Sequence, residues 1–272
     1  MTALTTTLRD PAESLSAHVG VRDTLAQTLT MAWRATMKMR RNFEQLFDVT
    51  IQPLLFTAMF AGIFGGAISG SVEDYLPVII PGLVGQTVLT ACVATGVQLR
   101  EDMDKGVFDR FKSLPIARIA PLAGPMVADL LRYTIATVLT FATGIVMGYR
   151  PGGGVLGVTA AALLTIATGW SMAWIFTFVG ITGRSAQAVQ GMSMMIMFPL
   201  TFLSNAFVPE DTLPDWLQAF VQVNPVSHVV SAVRDLANEG AVTAQVGWAV
   251  LACVAVVAVF APLSVRAYRR AM

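Results

Sequence analysis

The stretch PVIIPGLVGQTVLTACVATGV, residues 77–97, decides which fold this chain can adopt. It has no charged side chain and is about as long as the 20-residue helix that crosses a bilayer. The stretch that follows, QLREDMDKGVFDRFKSLPIARIAP at residues 98–121, is the densest charged segment of the chain. An uncharged run that ends in a charged one is typical of a membrane-spanning helix followed by a loop in water.

The composition of the whole chain agrees with a membrane protein. Of its 272 residues 55% are hydrophobic and 13% are charged, and the mean hydropathy is +0.64. Soluble proteins carry about 25% charged residues. These values exclude a disordered chain, a collagen-like repeat and a charge-rich nucleic-acid-binding protein, and we expect no nucleic acid as a partner. The two cysteines are too few for a disulfide framework.

Six segments are long and apolar enough to cross a membrane. They cover residues 51–68, 77–97, 123–147, 155–181, 191–208 and 244–263. We therefore predict an all-α polytopic membrane protein with six transmembrane helices in one domain, residues 21–272, after a disordered leader, residues 1–20. No secretory signal is expected, because the first apolar run begins only at Ile51.

The basic residues predict the orientation of these spans. Fifteen of them fall on one side, namely Arg9, Arg22, Arg34, Lys38, Arg40, Arg41, Arg100, Lys105, Arg110, Lys112, Arg118, Arg184, Arg266, Arg269 and Arg270. Only Arg150 and Arg234 fall on the other. Because Lys and Arg concentrate in cytoplasmic loops, we expect both termini in the cytoplasm and the protein in the cell (plasma or inner) membrane.

The segment before the first span predicts an amphipathic helix. Apolar side chains recur every four residues at Leu25, Leu29, Trp33 and Met37. A neighbouring face carries Arg34, Lys38 and Arg41. We assign residues 21–47 to a helix at the membrane interface, with its cations at the lipid head groups. The alternative is a cytoplasmic amphipathic helix packed on protein.

The charged loop, residues 98–121, predicts a short helix with one apolar stripe. Met103, Val107 and Phe111 are spaced four residues apart, and Phe108 lies beside them. Pro115 ends this helix, since the residue before a proline avoids helical geometry. Exposed phenylalanines on a charged loop indicate a partner surface. A loop helix packed under its own membrane domain explains the pattern equally well.

Asp129 and Arg132 are the only charged residues inside the predicted spans. Intramembrane charges are candidates for a functional role, here in the transport path or its gate. Their spacing of three residues also allows them to pair on one helix face. A structural ion pair close to the membrane interface is the alternative.

Apolar side chains in the fourth and fifth spans form two further candidate sites. Met194, Met195 and Phe198 belong to a methionine-rich patch that ends at Pro199, and Trp170 and Trp174 lie one turn apart. Flexible thioethers accept varied apolar ligands, but they also fill ordinary cores. Both groups therefore predict either a ligand wall or packing.

No catalytic or metal-binding motif is present in the sequence. His18 and His228 fall on opposite sides of the predicted membrane, and no lysine follows a glycine, so the nucleotide-binding P-loop is absent. We therefore expect a transport subunit and not an enzyme, with no cofactor or metal of its own. Any energy from ATP must come from another polypeptide.

Several stretches together make the chain similar to the ABC-2 type permeases, the membrane subunits of ATP-binding-cassette exporters. The resemblance is strongest to the daunorubicin/doxorubicin resistance exporter permeases. It is carried by EQLFDVTIQPLLF (44–56), KGVFDRFKSLPI (105–116), LRYTIAT (131–137), YRPGGGVLGV (149–158), MSMMIMFPLTFLSNAFV (192–208) and LPDWLQAFVQVNPVSHVVSAVRDL (213–236).

This resemblance implies a type V exporter-like fold with an N-terminal interfacial helix and extracellular re-entrant helices, within residues 199–236, between spans five and six. It also implies that residues 101–112 form a coupling helix on a separate ATPase. The coupling residues would be Glu101, Asp104, Lys105, Val107, Phe108, Arg110, Phe111 and Lys112.

The resemblance further implies two ATPase copies, which bind ATP and Mg²⁺, and a second permease subunit, expected to be identical. The substrate would be an amphipathic small molecule that enters from the cytoplasm or the inner leaflet. Candidate residues of its path and gate are Asp129, Arg132, Trp170, Trp174, Met194, Met195, Phe198, Phe202 and Asn205.

The main functional hypothesis is export of amphipathic drugs, anthracycline-like in character, which gives resistance. One alternative keeps the architecture and exports a lipid or a polyketide metabolite. A second alternative is an ion-coupled secondary transporter, in which Asp129 would govern proton-coupled flux. A third is a membrane assembly factor that transports nothing.

Overall fold

The computed structural model describes residues 20–108, 116–117, 119–207 and 214–271, and within them the chain forms nine α-helices and no strand. The helices are α1 (Val21–Arg41), α2 (Phe43–Ser69), α3 (Val72–Asp104), α4 (Ala120–Val146), α5 (Gly154–Thr182), α6 (Ala186–Phe202), α7 (Asp215–Val223), α8 (Pro225–Glu239) and α9 (Ala244–Ala271). The predicted all-α class is confirmed for these residues, whereas most of the predicted leader, residues 1–19, lies outside them.

Four helices in the described part are long and apolar enough to cross a membrane, namely α3, α4, α5 and α9. Helix α2 contains a shorter apolar stretch, Thr50–Gly66, and α6 has 17 residues. Helix α6 ends before the predicted residue 208 because Ser204 forms a turn: its hydroxyl donates to Thr201 O at 2.6 Å and accepts from Ala206 N–H at 3.2 Å. Helix length and composition therefore support a multi-pass membrane protein with four candidate spans.

Two predicted boundaries differ from the structure. The segment 21–47 is divided at Asn42, so that its last five residues begin α2. Helix α3 continues through the charged residues up to Asp104, supported by the ion pairs Arg100–Asp104 and Glu101–Lys105 one turn apart. It stops where Gly106 adopts a φ of 66°. Met103 thus belongs to the end of α3, and the turn at Gly106 separates it from Val107 and Phe108. Residues 109–112 of the predicted loop helix lie outside the described residues.

Helix α3 is the centre of the bundle and contacts α2, α4, α5, α6 and α8. It crosses α5 at two glycines: a Cβ on Gly96 would lie 2.3 Å from Phe176 O, and one on Gly180 would lie 2.4 Å from Gly96 O. Small residues allow such close backbone contact between membrane helices. As a result, 67% of the most apolar 18-residue window of α3 is buried.

The two ends of the bundle are joined by different contacts. At one end, here called the α1 end, Lys38 of α1 pairs with Asp102 of α3 at 2.8 Å, and Phe108 packs on Tyr268 of α9. At the other end, the α8 end, Tyr149 donates to Asn238 Oδ1 at 2.5 Å. Burial raises the pKa of Tyr149 to about 12, so its hydroxyl remains a donor at neutral pH.

A belt of exposed apolar side chains surrounds this bundle. On α9 it includes Trp248, Val250, Leu251, Val254, Val259 and Leu263. On α1 the side chains of Leu25, Leu29 and Trp33 are 60–65% exposed. The apolar stripe of α1 is thus not covered by this chain, which favours the membrane surface over packing on its own protein.

Candidate functional site

Asp129 and Arg132 form a buried ion pair one turn apart on α4, as their spacing predicts. Both residues are about 5% exposed or less, and Arg132 Nη1 lies 3.3 Å from Asp129 Oδ1. The hydroxyl of Thr95 donates to the other carboxylate oxygen, Asp129 Oδ2, at 2.6 Å. Tyr133 then donates to Thr95 Oγ1 at 3.3 Å, because the single proton of that hydroxyl is already used. The pair therefore holds α4 against α3.

Two cavities meet at this ion pair. One, the α2 cavity, has a volume of about 70 Å³ and lies between α2, α3 and α4. The other, the α1 cavity, has a volume of about 50 Å³ and lies between α1, α3 and α4. The side chains of Gln98 and Arg132 border both. The pair thus contacts α3 through Thr95, and its Arg132 borders both cavities.

Six phenylalanines form a continuous row, here called the phenylalanine ladder. From α6 it runs Phe198–Phe202–Phe207–Phe60, with ring centroids 5.4, 5.4 and 5.2 Å apart. On α2, Phe60 also stacks on Phe56 and Phe64 at 5.9 and 5.5 Å. These are ordinary distances for aromatic pairs. Because Phe56 lines the α2 cavity, the ladder leads from α6 to that cavity.

The turn after α6 brings the two halves of the ladder together. Residues 203–207 lie directly on α3, where a Cβ on Gly82 would be 1.8 Å from Ala206 O. Tyr75 of α3 donates to Phe207 O at 2.8 Å. Glycine at position 82 is therefore required for Phe207 to reach α2.

The sequence predicted Phe198 and Phe202 but missed the other four members of the ladder. Phe56, Phe60 and Phe64 recur every four residues, and this helical stripe was a signal that could have found them. Phe207 had no such signal, because its place depends on how the turn folds. Both Phe198 and Phe202 are about half exposed.

Other predicted path residues lie apart from the cavities around Arg132. Trp170 and Trp174 pack edge to face at 6.0 Å, and Trp174 belongs to the core. Met194 packs against the same core, whereas Met195 is exposed. For the tryptophans and Met194 the structure thus favours packing over a ligand wall.

Asn205 occupies a separate cavity at the α8 end. Its amide donates to Ser231 Oγ at 2.8 Å, and it lines a space of about 320 Å³ together with His228 and Gln245. Asn205 therefore lines neither of the two cavities that Arg132 borders.

The predicted coupling residues differ in how exposed they are. Asp104 and Lys105 are exposed, Glu101 and Val107 are half-buried, and the hydrogen bond with Glu101 raises the pKa of Lys105. Phe108 is only 7% exposed. The remaining predicted residues, Arg110, Phe111 and Lys112, lie outside the described residues.

The structure separates the two alternatives that the sequence left open for Phe108. Its ring packs edge to face on Tyr268 of α9, with centroids 5.6 Å apart. The chain itself supplies the partner surface, so Phe108 holds the turn after α3 against the last helix. For this residue the structure favours the alternative of packing under its own membrane domain.

Comparison with known proteins identifies the family. A model of the family described as ABC-2 type transporter matches residues 26–237, more than three quarters of the chain. The chain belongs to the ABC-2 type transporter family. Members of this family are the transmembrane permease component of ABC transporters, so this chain is not itself the catalytic subunit.

Relatives of this ABC-2 chain carry drug-resistance names. It is 43% identical to the daunorubicin resistance ABC transporter permease protein DrrB1 of Streptomyces coeruleorubidus, over 90% of this chain and 87% of the relative. It is 25% identical to the probable doxorubicin resistance ABC transporter permease protein DrrC of Mycobacterium tuberculosis, over 91% and 90%. The doxorubicin resistance permease DrrB of M. tuberculosis is 31% identical over 64% and 61%.

Proposed function

We propose that this chain is the permease subunit of an ATP-driven exporter that moves amphipathic, anthracycline-like drugs out of the cell and gives resistance. The observation that carries the proposal is the 43% identity to a daunorubicin resistance permease over 90% of the chain. At that identity and coverage the two chains share their fold over nearly the whole permease.

The phenylalanine ladder supports an aromatic cargo. Planar aromatic molecules stack on phenylalanine rings, and the exposed faces of Phe198 and Phe202 leave room for such contacts. The ladder ends at Phe56 beside the α2 cavity, where Arg132 and three glutamines, Gln52, Gln86 and Gln98, are available to polar groups. An apolar row next to a polar cavity suits an amphipathic molecule.

The exporter would need a separate ATPase, which binds ATP and Mg²⁺, because the chain has no P-loop. We assign the docking surface to the turn after α3, with Glu101, Asp104, Lys105 and Val107 as contact residues and Phe108 as the residue that positions them. The resemblance adds Arg110, Phe111 and Lys112 to the proposed contact residues. Two ATPases and two identical permeases complete the proposed assembly.

We further propose six membrane crossings, with α2 and α6 completing the four longer spans. Both termini and the α1 end would face the cytoplasm of a cell membrane, as the distribution of Lys and Arg predicts. Helix α1 would lie at the inner interface with Leu25, Leu29 and Trp33 in lipid. Helix α8 would dip back into the outer half of the membrane, since one whole face of it is buried.

The decisive experiment is drug efflux from cells that express this chain with its separately encoded ATPase. We expect daunorubicin to accumulate less than in cells that carry an ATPase without hydrolytic activity. Efflux that persists with the inactive ATPase would contradict an ATP-driven exporter and favour an ion-coupled transporter.

The same cells test the cargo. An intact permease–ATPase complex that leaves drug accumulation unchanged would contradict drug export. It would favour a lipid or polyketide metabolite as the cargo, which lipidomic comparison of the outer leaflet and the medium would detect.

A further inference from the structure

Arg132 has hydrogen-bond donors that its ion pair does not use. Within the described residues, Nε and Nη1 of Arg132 are buried and have no hydrogen-bond acceptor, since the contact with Asp129 Oδ1 at 3.3 Å is an ion pair only. The carboxylate of Asp129 meanwhile accepts a short hydrogen bond from Thr95. Buried guanidinium N–H groups without acceptors are costly and are expected to find a partner.

The α2 cavity next to Arg132 is divided into a polar and an apolar part. The polar part is formed by Arg132 and the amides of Gln52, Gln86 and Gln98. In the described part of the chain, Gln86 Oε1 is buried without a partner; it is an acceptor, so Gln86 can bind an anionic oxygen only through its Nε2 amide group. The apolar part is formed by Pro53, Phe56, Ala91, Ala94 and Ala136. This division fits a molecule with an oxygen-rich head on an apolar body.

The charges along the adjoining α1 cavity favour an anionic head. Three cations, Arg34, Lys38 and Arg132, line it together with two carboxylates, Asp102 and Asp129. Both carboxylates are already paired, Asp102 with Lys38 and Asp129 with Arg132, so the unused N–H groups of Arg132 are the donors that an anion meets here. Because Gln98 and Arg132 border both cavities, an anionic group in the α1 cavity meets the guanidinium next.

We propose that the α2 cavity binds the anionic oxygen group of an amphiphile, with Arg132 as its charged donor and Gln86 and Gln98 as neutral partners. A phosphate or another oxyanion accepts two guanidinium N–H groups at once. The chemistry of the site points to the bilayer as the source of this amphiphile, in the form of an anionic phospholipid. This site goes beyond the proposed export function, because equilibrium binding to the full chain tests it without transport.

Dodecyl phosphate, titrated into the full chain in dodecyl maltoside, is the probe. We expect saturable binding by calorimetry, and much weaker binding of inorganic phosphate, which lacks the apolar body. Arg132→Gln is expected to weaken the affinity for dodecyl phosphate at least about tenfold. Arg150→Gln removes an exposed arginine at the α8 end and is expected to leave the affinity unchanged. Equal affinities of the wild type and Arg132→Gln would overturn the proposal.

Two more variants keep this test decisive if Arg132→Gln does not fold. The double variant Asp129→Asn/Arg132→Gln removes both charges, and we expect the same loss of affinity. Gln86→Leu leaves the ion pair intact and is expected to weaken binding about threefold to tenfold, the effect of one neutral hydrogen bond. Unchanged affinity in both variants would overturn the proposal.

Competition then identifies the source of the ligand. If phosphatidylglycerol displaces dodecyl phosphate and phosphatidylcholine does not, the site takes an anionic lipid. Displacement by daunorubicin, which carries an ammonium group and no anionic oxygen group, would contradict an anionic ligand. Phosphatidylglycerol is expected to bind Gln86→Leu about threefold to tenfold more weakly than it binds the wild type.

Discussion

Arg132 at the α1 end and Arg234 at the α8 end are both held inside the bundle, but by different partners. Arg132 faces one carboxylate and two cavities. Arg234 Nη2 donates to the backbone carbonyls of Val78, at 3.2 Å, and Asn205, at 3.0 Å. It thereby joins α8 to α3 and to the turn after α6.

The comparison shows how the surroundings decide the role of a cation. Backbone carbonyls cannot be removed or protonated, so Arg234 serves to hold three segments together. Both guanidinium groups keep buried donors without an acceptor among the described residues, Nε and Nη1 of Arg132 and Nε of Arg234. Arg132 borders the α1 and α2 cavities and Arg234 lines neither, so Arg132 can bind something else. We therefore assign structure to the α8 end and ligand contact to the α1 end.

The largest effect is expected when one member of the ion pair is removed. Arg132→Gln leaves the carboxylate of Asp129 buried without its cation, which costs about 3–5 kcal/mol of stability. The double variant Asp129→Asn/Arg132→Gln should be within about 1 kcal/mol of the wild type in stability, because no charge is then left unpaired. Thermal unfolding in detergent measures both variants.

A failure of this rescue would break the comparison. It would mean that Arg132 holds the bundle through contacts other than Asp129, as Arg234 does. The single variant Asp129→Asn is the control, since it separates the loss of the carboxylate from the recovery of charge balance.

A smaller effect is expected for Arg234→Leu. The carbonyls of Val78 and Asn205 lose their charged donor, and we expect a loss of about 2–4 kcal/mol. No carboxylate substitution should restore it, because the partners are backbone groups. The matched control is Arg150→Leu, which changes an exposed arginine at the same end and should alter stability by no more than about 0.5 kcal/mol.

The outcome for Arg234→Leu sharpens the comparison when it is measured in the same assay. A loss as small as that of Arg150→Leu would show that the α8 end does not depend on this cation. The hydrogen bonds from Asn224 to the carbonyls of Leu200 and Leu203 would then be the main link to α6.

The smallest effect is expected in the phenylalanine ladder. Phe207→Leu removes the ring that joins α6 to α2, and an aromatic pair contributes about 0.5–1.5 kcal/mol beyond its buried area. We expect the rate of daunorubicin efflux to fall about twofold to tenfold at equal expression. Phe43→Leu is the control, because Phe43 is 77% exposed and its ring contact is with Phe47, outside the ladder.

Stability and efflux of Phe207→Leu, measured together, test whether the turn after α6 takes part in transport as well as in packing. If Phe207→Leu lowers stability but not efflux, the ladder is packing and the cargo contact lies elsewhere. If it lowers efflux of a planar drug more than that of a non-aromatic one, the ladder contacts the cargo.

Much of the fold was predictable because membrane helices follow hydropathy. The cores of α3, α4, α5 and α9 lie where long apolar runs predict them. The ends were less predictable, since α3 continues to Asp104 through residues whose charges suggested a loop. Ion pairs one turn apart keep those residues helical, and hydropathy does not register them.

The candidate site was predictable only in part. The spacing of Asp129 and Arg132 on one helix predicted their ion pair. The hydrogen bond from Thr95 and the two cavities come from α1, α2 and α3, which are distant in the sequence. The sequence left open whether Phe108 packs on its own chain for the same reason, because its partner Tyr268 lies 160 residues further along the chain.

The sequence by itself determined the all-helical class, the membrane environment, the absence of a P-loop and the pairing of Asp129 with Arg132. Each of these depends on composition or on spacing within one helix. The tertiary structure alone decided which side chains meet across helices. The close contacts at Gly82 and Gly96 bring distant segments together, so that six phenylalanines form one row and Arg132 lies between two cavities.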